Sequence, residues 1–201
     1  SDNFSRLIRM QAVKETTATN SILSKYKVLP RPDFDVIPTV SLFTGAGGMD
    51  LGFDVAGFSS RCCIEQDYHC CITLRTNRDL GIKTGFHSFL KEAVVIEDDI
   101  RYVNGLRIFS ATELKQGEIG LVHGGPPCQA FSVFGRRKGL EDERGTILWE
   151  FVRIIHELQP KSFVLENVSG LKTYEQSTVL NDLCERLSLD GKYKVSIHEY
   201  E

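Results

Sequence analysis

A cysteine that follows two consecutive prolines has the features of a catalytic nucleophile. Pro126 and Pro127 restrict the backbone directly before the thiol of Cys128. A free thiol has a pKa of about 8.5, so little of it is thiolate at neutral pH unless neighbouring groups help. A basic run at 136–138 could supply the positive potential that favours the thiolate. Taken alone, Cys128 is equally well interpreted as a buried small residue.

Glu166 provides a candidate acid for the same site. It ends a short apolar run at 162–165 and is followed by Asn167. If burial raised the pKa of Glu166, its carboxyl group could donate a proton to a substrate. The prolines before Cys128 and this polar pair together favour catalysis over simple packing.

A glycine-rich turn near residue 45 is the candidate ligand-binding loop. Gly45, Gly47 and Gly48 would let a ligand approach the backbone, and Glu65 is suitably placed to hold ribose hydroxyls. A dinucleotide site would need a third glycine where Asp50 stands, and an acidic group there would repel a pyrophosphate. The loop therefore favours a nucleoside ligand without phosphates, such as S-adenosylmethionine, although a tight strand-to-helix turn explains the glycines too.

The segment after Cys128 has two interpretations. It reads AFSVFGRRKGLEDERG over 130–145, with glycines that could act as hinges and a basic run suited to phosphates. A loop that closes over a substrate is one interpretation, and a solvated charged loop is the other.

Short apolar runs alternate with helical patterns from Thr39 onward, which is typical of a parallel sheet with crossover helices. The predicted strands are Val40–Phe43, Ser60–Ile64, Ala93–Ile96, Ile119–Val122 and Ser162–Leu165, and the clearest helices are Thr146–Leu158 and about Ser177–Leu189. Alternating polarity over Tyr193–Glu201 predicts an additional edge strand. The fold class is therefore α/β, a doubly wound and mostly parallel sheet.

Every candidate group follows the carboxyl end of one of these strands. In sheets of this kind, ligands bind outside that edge. The groups are Gly45, Gly47 and Gly48 after the first strand, Glu65 after the second, Asp98 and Asp99 after the third, Cys128 after the fourth, and Glu166 with Asn167 after the fifth. Five strands that bring polar groups to one edge predict a single active site there.

Composition restricts the class of protein. The chain has 201 residues, 41% of them hydrophobic and 25% charged, with a net charge of −3. These values fit a soluble globular domain at 39–201 preceded by an extension and linker at 1–38. A spanning helix is excluded, no secretory signal is recognised, and a cytoplasmic location is expected, or the nucleus in a eukaryote. The net charge argues against coating nucleic acid by charge alone, but not against a local contact.

The cysteines do not predict a metal site. Four of the six form adjacent pairs at 62–63 and 70–71, and none has the CxxC spacing of zinc or redox sites. We expect Cys62 and Cys63 in a buried strand and Cys70 and Cys71 on the next helix, as small hydrophobic residues.

Several motifs together resemble the DNA (cytosine-5) methyltransferases. The resemblance is collinear over about 39–168 and rests on SLFTGAGGMDLGF, EQD at 65–67, DDI at 98–100, GGPPCQAFSVFG and FVLENVSGL. It implies the S-adenosylmethionine-dependent methyltransferase fold, incomplete at its C-terminal end, and methyl transfer to carbon-5 of cytosine in duplex DNA.

The resemblance also implies a role for each matching residue. Cys128 would be the nucleophile and Glu166 would engage the N3 edge of the base, with Pro127 and Asn167 beside them. The cofactor residues would be Phe43, Gly45, Gly47, Gly48, Glu65, Gln66, Asp99, Ile100, Gly125 and Ile147. DNA would be contacted by Gln129, Ser132, Arg136 and Arg137, and no metal is implied.

The later family motifs are absent from this sequence. After Arg153 the one arginine is Arg186, so residues 154–201 contain no arginine-rich motif and no target-recognition domain. We therefore expect this chain to be part of a longer or split enzyme, in which a second polypeptide or a missing C-terminal part completes the sheet and recognises the DNA sequence. A microbial restriction–modification system would suit such an enzyme.

Three other functions remain open at this point. An RNA cytosine-5 methyltransferase would use the same chemistry, and a regulatory subunit could retain only S-adenosylmethionine binding. A nicotinamide oxidoreductase is disfavoured by Asp50 and by the missing third glycine.

Overall fold

Five parallel strands form one sheet in the described part of the chain. The computed structural model describes residues 36–84, 89–127, 146–166 and 174–198. The strands are β1 (Ile37–Leu42), β2 (Phe58–Glu65), β3 (Val94–Glu97), β4 (Leu121–Gly124) and β5 (Ser162–Leu165), in the sheet order β3-β2-β1-β4-β5. All four neighbouring pairs are parallel, so the carboxyl ends of the strands lie along one edge. The order reverses at β1, which is where such sheets bind ligands.

Helices lie on both faces of this sheet, as the α/β prediction requires. They are α1 (Gly48–Val55), α2 (Tyr68–Thr84), α3 (Gly105–Thr112), α4 (Thr146–Leu158) and α5 (Tyr174–Ser188), with a 3₁₀ turn at Ile100–Tyr102. The side chain of Asn104 caps α3 by accepting a hydrogen bond from the Arg107 amide at 2.9 Å. Pro160 follows α4 closely and cannot continue it.

The larger core lies on the face that α3, α4 and α5 cover, which we call the α4 face. Strand residues of alternate positions point into it, including Val40, Leu42 and Val122, all fully buried. They pack against the apolar side of α4, where Phe151 and Ile154 are also fully buried. This face contains the main apolar core of the described residues.

The opposite face, which we call the α1 face, is covered by α1 and α2. Cys63 packs there with Leu74 of α2 in a smaller apolar cluster. Ser41, the residue paired with Cys63, is buried on the same face and bonds to α1. Cys62 points to the α4 face and Cys71 of α2 is buried, so the strand and helix placement of the cysteine pairs is confirmed.

The helices and strands occur in the predicted order, with bounds shifted by a few residues, but one predicted strand does not form. Helix Thr146–Leu158 and strand Ser162–Leu165 have the predicted bounds, whereas β1 begins three residues earlier, at Ile37, and ends at Leu42. The edge strand predicted for Tyr193–Glu201 is wrong over 193–198, where no strand forms. A strand needs a hydrogen-bonded neighbour, and residues 193–198 pair with none of the described strands: the described sheet ends at β5.

No helix in the described ranges is long and apolar enough to cross a membrane. The same ranges contain no group of three or more side chains suited to holding a metal ion. The predicted extension at 1–38 lies almost wholly outside the described residues.

Candidate active site

The turn between β1 and α1 has an unusual backbone. Phe43, Gly45 and Gly47 have φ values of 55°, 55° and 88°, all in the left-handed region. For Phe43, a bulky residue with a Cβ, this conformation is strained, and strain of this kind is often found at ligand sites. A Cβ on Gly47 would lie 2.8 Å from Leu74, whereas a Cβ on Gly45 or Gly48 would meet nothing within 4 Å. The turn therefore presents bare backbone to open space.

Glu65 links this turn to the end of β2. Its Oε2 accepts a hydrogen bond from the Gly45 amide at 2.7 Å, and its Oε1 accepts from the amides of Gln66 and Asp67 at 2.9 and 2.8 Å. These bonds fix the carboxylate beside the glycine turn, which is the predicted arrangement for holding ribose hydroxyls. The side chain of Gln66 is exposed at the same edge.

The end of β3 brings two further carboxylates to this edge, each with an arginine. The guanidinium of Arg107 lies 2.5 Å from Asp98, and that of Arg101 lies 2.6 Å from Asp99. Hydrogen bonds from Arg101 hold the pKa of Asp99 below its usual value. Ile100, predicted to face the cofactor with Asp99, is buried in the main core. The arginine partners had no signal in the sequence, since each pairing depends on the turn after β3.

The ends of β4 and β5 meet where the proline–cysteine motif begins. The Glu166 amide donates to the Gly124 carbonyl at 3.0 Å, which extends the strand pairing by one residue. A Cβ on Gly125 would lie 2.7 Å from Oε2 of Glu166, so the end of this carboxylate side chain lies directly against the chain that leads to Cys128. Glu166 is exposed, so burial of its carboxyl group does not come from the described residues.

The remaining predicted residues divide into two groups. Pro127 is exposed at the end of the described β4 segment, and Ile147 packs against the main core from the first turn of α4. Those that lie outside the described residues are Cys128, Asn167, Gln129, Ser132, Arg136 and Arg137. Their predicted roles remain predictions.

A comparison with protein families decides the assignment. The model of the family described as C-5 cytosine-specific DNA methylase matches residues 37–200, which is most of the chain. The chain belongs to this family. Its S-adenosyl-L-methionine-dependent methyltransferase fold agrees with the five parallel strands and their flanking helices.

Individual relatives of this C-5 cytosine methylase chain are bacterial modification enzymes. It is 41% identical over 161 residues to the Type II methyltransferase M.AquIA of Picosynechococcus sp., a match covering 80% of this chain and 60% of the relative. It is 39% identical over 156 residues to the Type II methyltransferase M.PspPI of Psychrobacter sp., covering 78% of this chain and 33% of the relative. The chain thus spans between one third and about three fifths of these proteins.

One solved structure adds a geometric comparison. A prophage-encoded chain from E. coli, described as a DNA modification methyltransferase, superposes with a TM-score of 0.57 at 28% identity. The match covers 76% of this chain and 38% of that one.

The cofactor of this family is S-adenosyl-L-methionine, and the described site suits it. The open backbone at Gly45 and Gly48 leaves room for a ligand, and the Glu65 carboxylate beside it is an acceptor of the kind that ribose hydroxyls need. Asp50 does not act here by repelling phosphates, because its side chain is 1% exposed and bonds inward to Ser41 and Ser60. The charge of Asp50 is directed at the sheet instead.

Proposed function

We propose that this chain is the cofactor-binding and catalytic part of a DNA cytosine-5 methyltransferase in which Cys128 attacks the base. The observation that carries the proposal is the contact of Glu166 with Gly125, three residues before Cys128. It brings the described ends of the proline–cysteine motif and the Glu-Asn motif together at the carboxyl edge of the sheet. The family match supports the same assignment.

Carbon-5 of cytosine is a poor nucleophile and does not take up a methyl group unaided. The proposed chemistry therefore begins with a protein nucleophile that activates the ring. The Cys128 thiolate adds to carbon-6 while Glu166 donates a proton at N3, which makes carbon-5 electron-rich. S-adenosyl-L-methionine supplies the methyl group that carbon-5 takes up. The cofactor leaves as S-adenosyl-L-homocysteine. A water molecule or solvent base then takes the carbon-5 proton, the double bond re-forms as the Cys128 thiolate is expelled, and the N3 proton returns to Glu166, so atoms and charge balance.

The remaining residues position the two substrates. Phe43 stacks on the adenine, the glycines of the turn line the methionine part, and Glu65 holds the ribose hydroxyls. Asp99 and the backbone of Ile100, whose side chain is buried in the main core, lie at the adenine edge. Gln66, Gly125, Pro127 and Ile147 complete the pocket wall. Asn167 supports Glu166, and the segment with Gln129, Ser132, Arg136 and Arg137 contacts DNA around a cytosine that has left the duplex stack.

We propose further that additional polypeptide, within a longer chain or as a second chain, completes the sheet and recognises the target sequence. Support comes from β5, where Val164 is 42% exposed and the described sheet ends. Ile197, in the segment that forms no strand, is 58% exposed. The relatives are longer than this chain and bacterial, which suits a cytoplasmic restriction–modification enzyme.

The test is covalent trapping on DNA that contains 5-fluorocytosine, because fluorine cannot leave carbon-5 and the thiol stays attached to the base. The protein, alone and with the polypeptide that completes it, is incubated with this DNA and S-adenosyl-L-methionine, and the adduct is located by mass spectrometry. We expect the adduct on Cys128, no adduct with Cys128→Ala, and formation slowed about 100-fold with Glu166→Gln. Cys184→Ala, which changes a free cysteine on α5, is the matched control and should react normally.

The outcomes separate the parts of the proposal. An adduct formed only with the completing polypeptide supports a split or longer enzyme, whereas an adduct from this chain alone contradicts that part. Adducts on 5-fluorocytosine tRNA but not on DNA would replace DNA by RNA as the substrate. If neither nucleic acid is trapped while S-adenosyl-L-methionine still binds, the chain is a binding or regulatory subunit and the catalytic proposal is wrong.

A further inference from the structure

A buried polar cluster on the α1 face connects two motifs of the site. It contains one carboxylate, one imidazole and two hydroxyl groups, contributed by Asp50 of α1, His123 of β4, Ser41 of β1 and Ser60 of β2. Their exposed fractions are 1%, 0%, 1% and 7%. Such groups are costly to bury, and apolar residues fill the corresponding positions on the α4 face. A need for packing alone does not explain the cluster.

Asp50 is the centre of the cluster. Its Oδ2 accepts a hydrogen bond from the Ser41 hydroxyl at 2.9 Å, and its Oδ1 accepts one from the Ser60 hydroxyl at 2.7 Å. Ser41 in turn accepts a hydrogen bond from the hydroxyl of Thr44 at 3.1 Å. Thr44 lies between Phe43 and Gly45, so this chain of bonds joins the Asp50 carboxylate to the cofactor turn.

A bulge in β2 directs a second pair of side chains to the carboxylate. Thr39 pairs with Ser60 and Val40 pairs with Cys62, so Arg61 is an extra residue in the register. The bulge puts both Ser60 and Cys63 on the α1 face, where the Cys63 sulfur lies 3.7 Å from Oδ1 of Asp50. A regular strand would turn one of the two away.

His123 brings β4 into the same cluster. Its Nε2 lies 3.8 Å from Oδ1 of Asp50, and its ring stacks on Phe53 with centroids 4.5 Å apart. Neither ring nitrogen has a hydrogen-bond partner among the described residues. Burial holds the pKa of His123 below its ordinary value although the Asp50 carboxylate opposes this, so the ring is neutral at pH 7. From the elements packed around it, Asp50 on α1 and Cys63 on β2 face the cluster.

The position of His123 in the chain connects its contact with Asp50 to the segment that leads to Cys128. Gly125, two residues later, lies against Glu166, and Cys128 follows five residues after His123. The two sides of the Asp50–His123 contact therefore belong to the cofactor turn and to the strand that carries the nucleophile motif. The 3.8 Å separation is longer than a hydrogen bond, so the carboxylate and the imidazole attract each other electrostatically within a buried site, where such attraction is stronger than in water.

We propose that Asp50 and His123 are positioning residues, whose buried contact holds the cofactor turn in register with the end of β4 and so aligns the methyl donor with the reacting base. The proposal rests on the methyl transfer assigned above. Neither residue touches substrate, and each acts through its own strand or turn. Misplacement of reacting groups by a fraction of an ångström to one ångström is enough to slow a reaction strongly, which makes such a lock functionally significant.

The test compares variants of the full protein with the polypeptide that completes it. Asp50→Asn keeps the shape of the side chain and removes its charge, whereas His123→Phe keeps a ring against Phe53 and removes both nitrogens. His123→Gln returns an N–H near the position of Nε2 and serves as the rescue. Ile154→Val, on the α4 face, is the control for a loss of stability without contact to the cluster.

Single-turnover methyl transfer is measured with saturating DNA and cofactor, and the Kd of S-adenosylhomocysteine is measured by calorimetry. We expect His123→Phe to lower the saturated rate about tenfold with little change in Kd, and His123→Gln to recover most of it. Asp50→Asn should lower the rate about tenfold and also raise the Kd, since it loosens the bond chain to Thr44. The double variant should be no slower than the slower single variant, because the two residues share one contact.

Two results would overturn the inference without affecting the proposed function. In the first, the wild-type enzyme methylates DNA and His123→Phe has the same single-turnover rate as Ile154→Val. In the second, the fold-losses in rate of Asp50→Asn and His123→Phe multiply in the double variant. If the completed wild-type protein transfers no methyl group to any cytosine substrate, the proposed function fails and this inference fails with it.

Nitrogen NMR of the histidine rings tests the contact without any activity. The chain has five histidines, and the His123 signal is assigned by its loss in His123→Phe. We expect one tautomer with the proton on Nε2, facing Asp50, and a clear shift of both ring signals in Asp50→Asn. Ring signals that Asp50→Asn leaves unchanged would contradict the contact.

Discussion

The two faces of the sheet are built from the same strands but bury different kinds of residue. On the α4 face, strand residues such as Val40, Leu42 and Val122 meet the apolar side of α4. On the α1 face, alternate residues of the same strands include Ser41 and His123, which are equally buried. The α4 face therefore supplies most of the hydrophobic stabilisation. The α1 face buries polar groups, which connect to the cofactor turn, at positions where apolar residues would stabilise the fold more.

Truncating the centre of the α4 face should have the largest effect. Phe151 is fully buried in the main core, so Phe151→Ala should lower the free energy of unfolding by about 4 kcal/mol through lost burial and a cavity. Urea denaturation of the completed protein measures the change. A loss below about 1 kcal/mol would mean that the α4 face is not the main source of stability.

Removing the Asp50 carboxylate from the α1 face should lower the free energy of unfolding about half as much as Phe151→Ala does. Asp50→Ala leaves the hydroxyls of Ser41 and Ser60 buried without their acceptor, and we expect a loss of about 2 kcal/mol. Asp79→Ala is the matched acidic control, because that exposed side chain pairs with Arg78 at the surface of α2 and should change stability by less than about 0.5 kcal/mol. Equal losses in both variants would remove the distinction between a buried and an exposed carboxylate here.

The α1 face should also make stability depend on pH. Burial holds the pKa of His123 below its ordinary 6.5, so between these two values the unfolded chain binds a proton that the folded chain does not. The free energy of unfolding should therefore fall as the pH drops through about 6.5, by at most about 1.4 kcal/mol per pH unit from this residue, until the folded protein also takes up the proton. Denaturation of wild type and His123→Phe between pH 5 and 8 measures the difference, and parallel curves would show that His123 is not the titrating group.

The smallest expected effect is that of His123→Phe on the free energy of unfolding, which should rise instead of fall. At pH 7, His123→Phe removes two buried nitrogens that have no hydrogen-bond partner in the part of the chain that the structure describes, so we expect the free energy of unfolding to rise by about 1 kcal/mol while methyl transfer slows. Thermal and urea denaturation measure the first change. A less stable and less active variant would mean that the site cannot accommodate the larger ring, and His123→Gln would then be the informative comparison.

The order of the elements was predictable because each apolar run and each helical period is local. Thr146–Leu158 shows this best, since its apolar residues recur at helical spacing and Pro160 lies just beyond it. β1 ends one residue before the predicted Phe43, because that residue adopts a left-handed conformation and turns away from the strand. The error at Tyr193–Glu201 has a different origin: alternating polarity describes a side chain pattern, but a strand also needs a neighbour.

The buried polar cluster was not predictable in the same way. Ser41, Asp50, Ser60 and His123 are spread over more than 80 residues, and each is an ordinary polar residue when the chain is read in order. They meet because β1 lies between β2 and β4, and because the bulge at Arg61 changes which β2 residues face α1. Neither fact is visible in the local sequence pattern, so the sequence predicts an Asp50 side chain near the ligand, whereas the side chain faces the sheet.

Residue types and their order along the chain were thus sufficient for the α/β class, the sheet edge that carries the site, and the family motifs around Cys128 and Glu166. These features depend on local periodicity and on the rule that parallel strands end at one edge. The direction of each polar side chain, the arginine partners of Asp98 and Asp99, and the Asp50–His123 contact were decided by tertiary packing. They depend on strand order, register and burial, which bring together groups that no local sequence pattern relates.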